Sequence, residues 1–336
     1  MYCSRFFEND LIKFHPQKNI ISAFRELASL IKCDSSIDRS NFTTHPLCIQ
    51  RLDIPESRNI SLEQCMYEQA TYVANFSNCK KVLWSGGIDS TAALISIMLY
   101  DNNFDYNIIC TTSSIEEYPW FYDKYVSKMR HSIETSNPND FYNKVFDGSA
   151  VITGQLGDHL FFDYLTIEHK HILLDSPWEV LKLFVNKEKD TCVNMLDIYA
   201  RNSPIGIKTV EDMYWWLKFI FDWHADFYKP SLVLNKPSNI SDHIPFYGSN
   251  GFQSWALHNY HSIKISTWDN MSNHKQPLKQ YIFDFTKDEQ YLNNKQKQNS
   301  FKLAFGNQTM MFKHHCLYDN YETPDLKYFL KDCYDT

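Results

Sequence analysis

Apolar and polar positions alternate along the chain in two regimes. Between Ser61 and about Tyr164, short apolar runs that read as strands alternate with segments of helical period. Ser61-Leu62-Glu63-Gln64 opens a helix that runs to about Asn75. Lys81–Trp84, Asn107–Thr112 and Ala150–Thr153 read as buried strands. A helix apolar on most faces is predicted from Ile88 to Tyr100, another from Glu116 to Ser132, and a further helix start after Thr153. Strands alternating with helices predict an α/β fold with a parallel sheet. From about Pro177 the pattern is mostly helical, clearest over Met213–Tyr228, where Trp215, Trp216, Phe219, Ile220 and Trp223 are expected in the core. Before Ser61, an amphipathic helix is predicted over 19–31, with Ile20, Ile21, Phe24, Leu27 and Ile31 on one face. Residues 268–300 are polar and expected as surface loop and helix ends, and a tail follows about Tyr318. The organisation expected is a helical or irregular segment over 1–60, a main domain over 61–310 and a tail over 311–336.

Glycine narrows attention to two places. The chain has nine glycines, and Gly86, Gly87, Gly148, Gly154 and Gly157 lie between positions 86 and 157, clustered in two short segments where strands run into turns. Glycine sits where backbone must approach something closely or take positive φ, and in parallel sheets ligands lie beyond the carboxyl ends of strands.

Composition bounds the function. With 43% hydrophobic, 16% aromatic and 22% charged residues, the chain reads as globular rather than disordered. No apolar run is long enough to span a membrane, and Met1–Asp10 has no leader-like apolar region. Nine cysteines without a Cys-x-x-Cys pair fit reduced thiols, so a cytoplasmic protein is expected. A net charge of −7 argues against a general nucleic-acid binder. His314-His315-Cys316 is read as structural, since adjacent residues do not readily share one tetrahedral ion.

The turn Ser85-Gly86-Gly87-Ile88-Asp89-Ser90-Thr91 has a direct chemical reading. Gly86 and Gly87 expose backbone N–H groups at the positive end of a helix, and Ser85, Ser90 and Thr91 add hydroxyls for phosphate oxygens. Asp89 repels bare phosphate, so its presence calls for a bridging divalent cation, with Mg²⁺ the usual partner. No Gly-Lys-Ser/Thr follows, so the turn is not a Walker A loop, and Gly206-Ile207-Lys208-Thr209 reads as an ordinary turn.

Ser85-Gly86-Gly87-Ile88-Asp89-Ser90 resembles the pyrophosphate loop of the N-type ATP pyrophosphatases, which split ATP between its α- and β-phosphates. Thr153-Gly154-Gln155-Leu156-Gly157-Asp158-His159-Leu160-Phe161-Phe162-Asp163-Tyr164 is similar to the Ser-Gly-Glu-Gly-x-Asp-Glu-x-Phe-x-Gly-Tyr segment of asparagine synthetases and β-lactam-forming synthetases. The resemblance implies a nucleotide α-hydrolase-like (HUP/Rossmann-like) sheet with helical additions. It implies Asp89 and Asp158 as magnesium ligands, with Gly154 and Gly157 beside the nucleotide; the plain reading of Asp158 is a helix N-cap. His159 stands where the family has a glutamate thought to accept a proton from the attacking amine. An imidazole can serve that role, or else His159 caps the helix or meets a different substrate. Ile244-Pro245-Phe246-Tyr247 resembles the family's Val-Pro-Phe-Leu-Asp stretch, and Lys275-x-x-Leu278-Lys279 its Lys-x-x-Leu-Arg helix. Lys295-Gln296-Lys297-Gln298-Asn299-Ser300-Phe301 resembles a loop whose lysine offsets negative charge on the phosphates; Lys297 fits that role, with Lys295 in reserve, and a solvated basic loop is the plain alternative. A glutaminase half is not expected, since residue 2 is tyrosine.

The function implied is an ATP- and Mg²⁺-dependent synthetase that adenylates a small carboxylate and passes the acyl group to ammonia or an amine. The alternatives are a tRNA- or nucleobase-modifying pyrophosphatase and a catalytically silent nucleotide-binding module. Neither the acid, the amine nor the oligomeric state is legible in the sequence.

Overall fold

The computed structural model describes residues 37–38, 50–51, 54–76, 79–134, 141, 144–145, 147, 149–161, 177–180, 190–217, 219–220, 243–264 and 273–295. The helix expected over 19–31, Tyr164, Trp223, Lys297, His314–Cys316 and the tail lie outside the described residues.

In chain order, a parallel pair of two-residue strands, β1 (Ile37–Asp38) and β2 (Gln50–Arg51), comes first. It stands in the segment expected to be helical or irregular. Helix α1 (Leu62–Ala74) begins where expected, and the Ser61 hydroxyl accepts from the Gln64 N–H at 3.0 Å. Only half of the reciprocal cap forms there, because the Gln64 side chain donates to Glu68 instead. Strand β3 (Cys79–Leu83), helix α2 (Ile88–Tyr100) and strand β4 (Asn107–Thr111) follow.

The helix expected over Glu116–Ser132 is absent as one element. It is α3 (Thr112–Glu117), α4 (Pro119–Lys124), one 3-10 turn and then strand β5 (His131–Glu134). Pro119 explains the break: proline has no N–H to continue a helix and disfavours helical backbone at the preceding residue. Thr111 and Ser114 cap α3 reciprocally.

Strand β6 (Ala150–Thr153) and the four-residue turn α5 (Gly157–Leu160) come next, then α6 (Asp190–Arg201), α7 (Val210–Leu217), β7 (His243–Pro245), α8 (Asn250–Ile263), α9 (Gln276–Thr286) and α10 (Glu289–Asn294). Trp215, Trp216, Phe219 and Ile220 are buried as expected for core residues. Over 273–295, by contrast, the surface expectation fails: Leu278, Lys279 and Ile282 are fully buried on α9.

Strands β5-β4-β3-β6-β7 form one sheet in that order, every pair parallel. Chain progression therefore runs outward from β3 in one direction and, after β5, returns to β6 on its other side. The reversal falls between β3 and β6, and ligands of open parallel sheets bind at such a point. One register row joins Ile109, Leu83, Thr153 and Pro245, so the chains leaving β3, β6 and β7 emerge level with one another. Helix α2 is buried along most of its circumference; it packs against α1 and α9, and the Ser96 hydroxyl donates to the Met66 carbonyl at 2.9 Å. No helix among the described residues is long and apolar enough to cross a membrane.

Candidate functional site

The turn after β3 is locked by its own hydroxyls. Ser85 and Ser90 Oγ atoms lie 2.9 Å apart, the Ser85 N–H donates to Ser90 Oγ at 3.1 Å, and the Gly87 N–H donates to Ser85 Oγ at 3.3 Å. Gly87 is the N-cap of α2 and makes no side-chain capping bond, and Asp89 is the acidic residue in the first turn of this 13-residue helix.

Gly86 has φ +75°, and a Cβ there would meet the Ser114 carbonyl oxygen at 2.2 Å. Its glycine lets α3 close against the turn. Thr91 is turned inward: it is fully buried, and its hydroxyl accepts from Trp84 Nε1 at 3.0 Å. The site hydroxyls at the turn are those of Ser85 and Ser90.

The second glycine turn packs directly on the first. A Cβ on Gly154 would stand 2.6 Å from the Ser90 nitrogen, and a Cβ on Gly157 would stand 2.3 Å from Asp89 Oδ1. These glycines act by making room for Asp89 and Ser90. From the third level strand, buried Tyr247 donates its hydroxyl to the Asp89 carbonyl oxygen at 2.9 Å. Burial first, and then the nearby Asp89 charge, push the Tyr247 phenol well above its usual range, so it remains a donor.

Asp89 and Asp158 meet at one cation. The Lys275 ammonium pairs with the Asp89 carboxylate and, at 2.5 Å, with Asp158 Oδ1. The Lys275 side chain is 2% exposed, against 21% for Asp89 and 36% for Asp158. Lys275 is the N-cap of α9 in left-handed conformation, φ 51°, which a lysine adopts at a cost of about 1–2 kcal/mol. Asp158 is not the N-cap of α5; that position is Leu156, at φ 71°. His159, on the same turn, is 3% exposed, so the turn presents its aspartate and encloses its histidine.

Lys295 is also accounted for. Its ammonium pairs at 2.8 Å with Glu117, whose side chain is 1% exposed. A cation held this way is not a mobile one over the turn, so the reserve role does not fall to Lys295. Tyr118 stacks on Tyr291 at 4.1 Å between ring centroids and donates to Asp288, which ties α3 to α10 beside that pair.

The sequence singled out Ser85, Gly86, Gly87, Asp89, Ser90, Gly154, Gly157 and Asp158, and the structure brings them together. It adds Lys275, Tyr247 and Glu117. The signal for Lys275 was its place in the Lys-x-x-Leu-Lys segment, and for Tyr247 its place just past a strand end; Glu117 carried none. Among known proteins, no family model and no curated sequence matches the chain.

Asp89 and Asp158 are the residues of this site that could hold a divalent cation. Among the described residues no three His, Cys, Asp or Glu side chains cluster to hold a metal unaided. Two carboxylates from separate turns, converging on a single positive charge, could hold a divalent cation in place of that charge.

Proposed function

We propose that the chain is an AMP-forming synthetase of the ATP pyrophosphatase type, with a HUP/Rossmann-like sheet. It would activate a small carboxylate and pass the acyl group to ammonia or an amine. The observation that carries this reading is the convergence of Asp89 and Asp158 on one cation, at the sheet's reversal and beside the uncapped start of α2.

The chemistry follows from charge. A carboxylate is a poor electrophile; attack of its oxygen on the α-phosphorus of ATP breaks the α–β phosphoanhydride bond and releases pyrophosphate. The acyl-adenylate then reacts with the amine, the new C–N bond replacing the bond to AMP. Ser85, Ser90 and the first N–H groups of α2 would bind the departing phosphates. Asp89 and Asp158 would hold Mg²⁺, which when bound offsets phosphate charge. His159, on the same turn as Asp158, would take the amine proton, and Lys297 would bring a further cation over the turn.

The test is release of AMP and pyrophosphate from Mg²⁺–ATP across a panel of carboxylic acids with ammonia. Acid-dependent AMP and pyrophosphate, lost in Asp89→Asn, support the reading and name the acid. ADP and phosphate as products, or no binding of Mg²⁺–ATP, would overturn it.

A further inference from the structure

Lys275 carries more than an ion pair. It is the most enclosed of the three charged groups at the reversal point, and its ammonium lies where both carboxylates point. Its backbone is held in a conformation that lysine disfavours, so the placement must be compensated by contacts such as these two pairs. Tyr247, on the turn after β7, fixes the Asp89 backbone, and the absence of a Cβ at Gly157 leaves room for the Asp89 side chain. Asp89 is therefore held in place, and the Lys275 ammonium occupies the position between the two carboxylates.

We propose that Lys275 is the resident cation of the nucleotide-free site, in competition with the metal. The inference rests on the reading of this site as one for Mg²⁺–ATP. While the ammonium neutralises Asp89 and Asp158, a free divalent ion gains little by entering, because it must expel a charge that is already paired. A metal carried on nucleotide phosphate enters on different terms. The phosphate oxygens arrive with it and give the displaced ammonium new anionic partners, so no buried charge is left unpaired at any stage. Lys275 thereby makes the site selective for the metal–nucleotide complex over the free metal.

The experiment measures binding of Mn²⁺ alone by calorimetry and by electron paramagnetic resonance, with Mg²⁺–ATP binding measured in parallel. The variants are Lys275→Met and Lys275→Asn; asparagine tolerates left-handed backbone and so keeps the start of α9. Both neutral variants are expected to bind free Mn²⁺ about tenfold or more tightly than the unaltered chain. Adding Asp89→Asn should abolish that gain, whereas Lys128→Met, which removes an exposed positive charge elsewhere, should give none. Unchanged Mn²⁺ affinity in both neutral variants, with Mg²⁺–ATP still bound, would overturn the competition and leave the reading of the site standing. Absence of Mg²⁺–ATP binding in the unaltered chain would overturn both.

Discussion

A Cβ on Gly157 would lie 2.3 Å from Asp89 Oδ1 and 2.6 Å from Asp89 Cγ, so this glycine, on the turn after β6, is what allows the aspartate after β3 to reach Lys275. Gly157→Ala should push a side chain, not a backbone, out of the way. A modest stability loss of about 1–2 kcal/mol is expected, together with roughly tenfold or greater weakening of Mg²⁺–ATP binding. Gly154→Ala is the contrast: its Cβ would meet the Ser90 nitrogen at 2.6 Å and Cα at 2.8 Å, backbone that has nowhere to go. Urea denaturation and calorimetry on the pair should show the larger stability loss for Gly154→Ala and a selective binding loss for Gly157→Ala. Equal binding losses at equal stability would contradict this division.

Gly86 faces two penalties at once. Alanine at φ +75° costs about 1–2 kcal/mol, and its Cβ at 2.2 Å from the Ser114 carbonyl adds an overpacking cost of about 1–3 kcal/mol. Gly86→Ala should therefore destabilise the chain more than Gly157→Ala, read as a lower urea midpoint at unchanged slope. A midpoint within error of the unaltered chain would show that α3 can retreat from the turn.

The glycine turns were legible because their signal is local: strand, glycines, hydroxyls and helix follow within a dozen residues. Strands β3, β4 and β6 and helix α2 stood out for the same reason. Lys275 reaches its partners across a separation of 186 residues from Asp89, and no periodicity announces such a contact. The segment around α9 was mistaken for surface because its polar residues outnumber Leu278 and Ile282, while Lys279, ordinarily a surface residue, is buried. Strand β5 was hidden because His131–Glu134 has a mixed, partly exposed pattern, and only pairing with β4 makes it a strand. Hydrogen bonding across a sheet edge is a tertiary fact.

Glu117 and Lys295 form the most enclosed ion pair described here, at 1% and 7% side-chain exposure. Removing one partner leaves the other as a buried uncompensated charge, so Lys295→Met should cost about 3–5 kcal/mol. Replacing both, as Glu117→Gln with Lys295→Met, should recover much of that loss. A double-mutant cycle by urea denaturation gives the coupling. Additive losses would mean that solvent reaches the pair once either side is trimmed.

Lys279 is fully buried, with its ammonium 3.4 Å from the Lys295 carbonyl oxygen. Burial pushes its pKa down from 10.5 to about 8. Below about pH 8 both folded and unfolded chains hold the proton, and the folded chain bears the full cost of an enclosed charge. Between about pH 8 and 10.5 the unfolded chain keeps a proton that the folded chain has released, so this group makes stability rise with pH. Two thiols act oppositely: burial, reinforced by nearby Glu68 and Glu134, raises Cys65 to about 12 and Cys110 to about 11 from 9.0, so stability falls as their unfolded counterparts ionise. The lysine effect is isolated by comparing the unaltered chain with Lys279→Met at each pH. The methionine variant should be more stable below about pH 8 by up to about 3 kcal/mol, with the advantage shrinking steadily toward pH 10. Urea denaturation at intervals across that range decides it, and a difference that stays flat would mean Lys279 remains charged inside the fold.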